Sequence, residues 1–220
     1  MKKSVKQEVE EIIKEFNLDC SVEEFKDRKS LNFDLYVILQ FKKVSENFIK
    51  EFKDKVYWYY VSADQELSED FIKEFKDKVF WTCISQYQTL SENFIRKFQD
   101  KVRWFHISIN QQLSEDFIRE FKDKVEWSCI SQYQKLSESF IKEFKNRVCW
   151  LSISQRQKLS KDFIKEFKDR ICWWSISQYQ ELSENFIIEF QDKVDWEFIF
   201  QYQTLSPEFI QEFKWKKIVM

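Results

Sequence analysis

The chain contains no glycine and a single proline, Pro207, in 220 residues. Without glycine, neither a P-loop nor a GxGxxG dinucleotide fingerprint can form, because both need bends and close backbone approach that only glycine permits. Turn-rich sandwiches, barrels and Rossmann-type sheets lean on glycine and proline too. Helices need neither. With His106 as the one histidine, HExxH sites, two-histidine metal sites and Cys₂His₂ fingers are excluded. The five cysteines, Cys20, Cys83, Cys129, Cys149 and Cys172, show no CxxC spacing. They read as free thiols of a reducing compartment. No apolar run approaches the ~18–20 residues that span a bilayer, and Met1-Lys2-Lys3 is not followed by the apolar core of a signal peptide. The expectation is a soluble, cytoplasmic protein. Lys plus Arg (36) nearly balances Asp plus Glu (38), so the basic excess usual in nucleic-acid binders is missing.

What the chain does contain is a repeat. Leu67, Leu90, Leu113, Leu136, Leu159, Leu182 and Leu205 stand 23 residues apart, with Val44 as an earlier member, and Trp58 to Trp196 keep the same step. Each unit has the form L-S-E-x-F-I-K-E-F-K-D-K-V-x-W-x-x-I-S-Q-Y-Q-x. The first half predicts a helix: Ser68 is a good N-cap, Glu69 and Asp70 suit the positive end of the helix dipole, and Leu67 with Ile72 can close a hydrophobic staple. Pro207 falls directly after Ser206, at the first helical position where proline costs least. Glu69 with Lys73, and Glu74 with Lys78, are expected as i,i+4 pairs.

The second half, for example "VFWTCISQYQ" at 79–88, is rich in residues that also suit strands. Its near-constant letters, Trp81, Ile84, Ser85 and Gln88, mix odd and even positions, which a strand would separate. On a helical wheel they share one face about 100° wide. This face is expected to be core, Trp included, with positions 80, 82, 83, 86 and 87 on the far side. The fold class is therefore all-α: an α-solenoid of about eight stacked 23-residue αα-hairpin repeats with degenerate caps. Residues 1–20 read as a capping helix, 21–43 as a degenerate repeat, 44–204 as seven regular repeats, and 205–220 as a half repeat with a C-terminal cap.

Written as "LSExFIxEF…W..IS.YQ", the unit resembles tandem helical-repeat proteins of giant DNA viruses and some phages. The resemblance covers about residues 44–213, and Phe200, where serine is usual, departs from it. It implies a viral or phage origin and no particular activity.

A catalytic Cys–His pair of His106 with Cys83 or Cys129 would need equivalents in stacked units, ~10 Å apart, to hydrogen-bond. No catalytic, cofactor-binding or metal-ligating residues are expected. The columns Glu51 to Glu189, Asp54 to Asp192 and Lys55 to Lys193 read as a solvated face of mixed charge. Any unit-specific information must sit in the changing letters. Tyr59, Tyr60, Phe105, His106, Tyr133, Arg156, Trp174 and Tyr179 are the candidate partner-binding residues, since exposed aromatics and Arg are enriched at protein interfaces. Packing under neighbouring units is the competing role for the same side chains. The expected function is a non-enzymatic scaffold for a protein partner, and, given the resemblance, an inhibitor of a host defence protein. The alternative is a single-strand nucleic-acid reader using Gln86-Tyr87, Gln132-Tyr133 and Gln178-Tyr179.

Overall fold

A chain without glycine must end its helices without the left-handed residue that glycine usually supplies. The computed structural model, which describes residues 3–27 and 31–217, shows how this is done. Among these residues the only positive φ is that of Asn17, at 49°, just beyond the first helix. There Leu18 N–H donates to Ile13 C=O at 2.9 Å, a Schellman-type closure. In the repeats, a first helix such as Glu69–Glu74 ends at Phe75 with φ −107° and ψ 27°, and the Phe75 carbonyl then accepts from both Lys78 and Val79. The second helix, Trp81–Tyr87, ends at extended Gln88. No position there requires a positive φ.

The chain divides into two units, residues 1–111 and 112–220. The first holds α1 (Val5–Glu15), α2 (Val22–Asp27), α3 (Leu31–Phe41), α4 (Glu46–Glu51), α5 (Trp58–Asp64), α6 (Glu69–Glu74), α7 (Trp81–Tyr87), α8 (Glu92–Lys97) and α9 (Trp104–Asn110). The second holds α10 (Glu115–Glu120), α11 (Trp127–Tyr133), α12 (Glu138–Glu143), α13 (Trp150–Arg156), α14 (Lys161–Glu166), α15 (Trp173–Tyr179), α16 (Glu184–Glu189), α17 (Trp196–Tyr202), α18 (Pro207–Phe213) and a 3₁₀ turn at Lys214–Lys217. Within each unit the second helices stack in sequence: α3, α5, α7, α9 in one and α11, α13, α15, α17 in the other. No strand occurs among the described residues, and each unit is a helical-repeat solenoid. Of the stretches read as caps or degenerate repeat, 1–2, 28–30 and 218–220 lie outside the described residues.

Helices of six or seven residues are unstable alone, so the stack must supply their stability. Its apolar part is the row Phe71, Ile72, Phe75, Val79 and Ile84 with their equivalents, all at or below 9% exposure in this repeat. Its polar part is three ladders. The Gln88 amide donates to Ser62 C=O (3.1 Å) and Gln65 C=O (2.7 Å) and accepts from Leu67 N–H (3.0 Å), tying down the loop that follows the preceding second helix. Ser85 Oγ donates to Trp81 C=O (2.7 Å) and accepts the Arg103 N–H (2.9 Å) at the start of the next second helix, where no side-chain cap exists. Glu69 accepts the N–H of Ser91, the next N-cap, at 2.6 Å. The buried polar letters recur because each satisfies backbone of a neighbouring repeat.

The ladders change at the first and last regular repeats. Phe200 stands in the serine column of α17, and its ring packs 5.7 Å from Trp196. Before the first regular repeat, buried Glu8 of α1 takes the ladder position, accepting from Ser45 N–H and Oγ at 2.6 Å each.

Three expectations need correction. Trp58, Trp81, Trp104, Trp127, Trp150 and Trp173 are only half-buried. The Trp81 indole leans on Phe98 of the next repeat (5.0 Å), donates to Lys76 C=O (2.9 Å), and meets Lys101 Nζ 5.9 Å from its ring. It is the rim of the core. Only Trp196, with Lys216 above it at 5.5 Å, is buried in this column. Second, position 83 is not on the far side: Cys83 and Cys129 are buried, and Tyr60 and His106 are half-buried. Within each unit a second helix packs against the second helices of neighbouring repeats, so its covered arc is wider than its constant one. Third, the two expected pairs Glu69–Lys73 and Glu74–Lys78 do not form, although Arg96 meets Glu92 (3.7 Å) and Arg119 meets Glu115 (3.6 Å) at the i,i+4 spacing. The helix has stopped at Glu74, and Glu74 and Lys78 pair between repeats instead: Glu74 with Lys50 at 2.5 Å, Lys78 with Asp54 at 2.8 Å. Lys73 turns to Asp70 at 2.7 Å.

Candidate functional site

The exposed side of the second helices carries the changing letters, and the stack decides which of them meet. In the first unit, Tyr36 of α3 lies one repeat before Tyr59 in register. Its ring sits edge-on to Tyr60 at 4.7 Å and to Tyr57 at 6.5 Å. Tyr57 and Tyr59 lie 5.8 and 5.3 Å from Tyr60, and Phe80 lies 5.7 Å from Tyr59. Tyr60 is thus the hub of five rings, and four of them face solvent: Tyr36 (37%), Tyr57 (59%), Tyr59 (42%) and Phe80 (48%). A hydrogen bond to Tyr36, with burial second, pushes the Tyr60 phenol up to about 12. The Tyr60 phenol is therefore uncharged throughout the physiological range. Phe105 and His106 form a separate edge-on pair at 5.5 Å, one repeat beyond Thr82 and Cys83.

In the second unit the candidates spread out. Trp174 packs 6.0 Å from Phe198, which stacks on Tyr202 at 5.8 Å. Tyr133 and Tyr179 are about half exposed at the ends of their helices. Arg156 and Tyr179 line one open groove of about 430 Å³ together with Lys158 and Lys161.

Of the eight residues expected to form the site, the structure joins Tyr59 to Tyr60, Phe105 to His106, and Arg156 to Tyr179. Sequence reasoning missed Tyr36, Tyr57 and Phe80 in the ring cluster, and Lys158 and Lys161 in the groove. The signals were there: Tyr57 and Phe80 share a column already placed on the far face, and Lys161 is a lysine in a column of glutamates.

The charged columns of the first helices offer little to an anion. Lys50, Lys78 and Lys101 in the first unit, and Lys142, Arg147, Lys165 and Lys193 in the second, each meet a carboxylate of the preceding or following repeat. Such exposed pairs stabilise little individually, but they cancel the field that would attract phosphates. Among the described residues no group of three or more His, Cys, Asp or Glu side chains is placed to hold a metal ion, and no helix is long and apolar enough to cross a membrane.

The thiols differ in chemistry. Burial pushes Cys83 and Cys129 up. Burial acts the same way on Cys149, but hydrogen bonds from the Ser152 hydroxyl and the Ser152 and Leu151 amides outweigh it and hold this thiol below its ordinary range. A lower thiol pKa means more thiolate at neutral pH. Cys149 should therefore be alkylated before Cys83 and Cys129 when iodoacetamide labelling is followed by peptide mass spectrometry at pH 7.5. Equal labelling of the three would show that its hydrogen bonds do not form.

Comparisons with protein-family models, with curated proteins and with solved structures found no match.

Proposed function

We propose that this chain is a non-enzymatic helical-repeat scaffold that holds a protein partner on the exposed side of its second helices. One observation carries the reading: the cluster of Tyr36, Tyr57, Tyr59, Tyr60 and Phe80, whose rings touch in series while four of them stay open to water. Rings of this kind supply large contact area at low conformational cost, and tyrosine is enriched among interface hot spots. The more specific form, an inhibitor of a host defence protein, draws only on the resemblance of the repeat to viral and phage sequences. The nucleic-acid reading has Tyr87, Tyr133 and Tyr179 exposed for stacking, but the paired charges of the first helices count against it.

The test is a capture experiment with the full chain, followed by affinity measurement on the partner identified. Tyr57→Ser/Tyr59→Ser/Phe80→Ser should leave the melting curve close to that of the parent chain, since surface changes usually stay within about 0.5 kcal/mol each. It should weaken partner binding by about 3 kcal/mol or more, because central interface aromatics contribute about 2 kcal/mol or more apiece. Lys78→Glu/Lys101→Glu should leave that affinity nearly unchanged. The opposite pattern, with binding lost on charge reversal and kept in the triple variant, would favour the nucleic-acid reading.

A further inference from the structure

Three cationic residues meet in the groove of the second unit, two of them departures from the repeat. Arg156 ends α13 in the column of Tyr87, Tyr133, Tyr179 and Tyr202. Lys161 opens α14 in the column of Glu46, Glu69, Glu92, Glu115, Glu138 and Glu184. Lys158 lies between them, and the only carboxylate lining the groove is that of Glu181. None of these cations forms an ion pair with a described residue, unlike Lys142, Arg147, Lys165 and Lys193 of the same unit. The corresponding groove one repeat on, about 340 Å³ and lined by Tyr179, Glu181, Tyr202 and Thr204 among others, contains no cation.

Lys161 also weakens the fold locally. A glutamate there would accept the N–H of Ser183, as Glu138 does for Ser160 and Glu184 for Ser206. Instead Lys161 Nζ donates to Ser183 Oγ at 2.9 Å. Ser183 is the one N-cap serine of the regular first helices whose hydroxyl accepts nothing from its own helix. Places where a local rule is broken at a cost to the fold are where functional or strained positions are expected.

We propose that this groove binds a phosphomonoester dianion. Three cations and one carboxylate leave a surplus of two positive charges, which matches the roughly −1.5 to −2 of a phosphomonoester at neutral pH. The Arg156 guanidinium offers the planar fork suited to two phosphate oxygens, while Lys158 and Lys161 act as point charges. Glu181 stands at the groove as the opposing charge, and a monoanionic carboxylate ligand would leave the surplus half neutralised. The volume exceeds that of a phosphate group and leaves room for its ester substituent. That substituent belongs either to a small phosphorylated molecule or to a phosphorylated side chain, and the recognising chemistry is the same.

The experiment is an amide NMR titration of the full chain with inorganic phosphate and with O-phosphoserine, against sodium chloride at matched ionic strength. Saturable shifts are expected at Arg156 to Lys161 and at Tyr179 to Glu181, without comparable shifts at Tyr202 to Thr204. In Arg156→Tyr/Lys161→Glu, which restores residues the other repeats carry, affinity should fall about tenfold or more. The melting midpoint of that variant should rise as the Ser183 cap is regained, which separates lost binding from lost folding. Shifts that follow ionic strength alone, that spread evenly along the first-helix lysines, or that survive the double substitution would overturn the proposal. A phosphoserine peptide that binds more tightly than O-phosphoserine would assign the ester to a side chain; equal affinity would assign it to a small molecule.

Discussion

Replacing Gln157 by leucine should lower the unfolding free energy by about 3–5 kcal/mol, although the leucine fits the same space and adds apolar surface. The amide of Gln157 donates to Ser131 C=O (3.2 Å) and Gln134 C=O (2.8 Å) and accepts from Leu136 N–H (3.0 Å). Gln157 is 6% exposed, so water cannot readily replace it. Each buried polar group left without a partner costs about 1–3 kcal/mol, and here there would be three. Urea unfolding at an unchanged m-value measures the loss. A loss below about 1 kcal/mol would mean that the glutamine ladder is incidental to the stack. Gln157→Glu sharpens the test through pH. A carboxylate there faces two carbonyl oxygens and has no proton to give; when protonated it can donate its one O–H to one of them, so its folded pKa must lie above the unfolded one. Relative to the parent at the same pH, the variant should be least impaired below the unfolded carboxyl value of about 4.3. The deficit should then grow as pH rises through the folded pKa.

Phe140→Ala should cost about 3–5 kcal/mol, the usual range for a fully buried phenylalanine. Phe140 is 0% exposed, 4.7 Å from Phe144 and stacked 6.2 Å from Trp127, with the Arg119 guanidinium 5.0 Å from its ring. Trp127→Ala removes a larger side chain, yet should cost less, about 1–3 kcal/mol. Trp127 is half-buried, its outer side lies near Arg147 at 6.0 Å, and its indole N–H serves Lys122 C=O at the edge of the stack. Thermal or urea melts of the two variants give the order directly. If Trp127→Ala proves the more damaging, the tryptophan ladder is core and its rim placement is wrong.

Much of the architecture was legible before any coordinates. The 23-residue step, the serine N-caps and the mixed parity of Trp81, Ile84, Ser85 and Gln88 suffice to name paired helices and to place the constant face against neighbours. The serine caps are present as expected, with Ser68 Oγ accepting from Phe71 N–H at 3.2 Å, and Pro207 occupies the first helical position. What the wheel could not reveal is why serine and glutamine recur on an apolar face. Their partners lie 18 to 26 residues away, as in Arg103 N–H to Ser85 or Gln111 to Ser85 C=O.

The candidate site was less legible, for a related reason. Constancy along a sequence records what every repeat needs, whereas exposure depends on what the neighbouring repeats cover. Cys83 changes identity from unit to unit and is nonetheless buried between stacked helices. Tyr36 falls in the degenerate repeat, where motif matching is weakest, and still supplies a ring to the cluster around Tyr60.

The sequence by itself determined that this chain is helical and repetitive, where the first helix of each repeat begins, and where its constant apolar letters lie, because those properties follow from residues within a few positions of one another. Only the tertiary structure decided that the tryptophans form a rim, that charges pair between repeats as well as along helices, and that Arg156, Lys158 and Lys161 share one groove with Tyr179. Those facts are set by contacts about one repeat apart, which exist only once hairpins stack and their register is fixed.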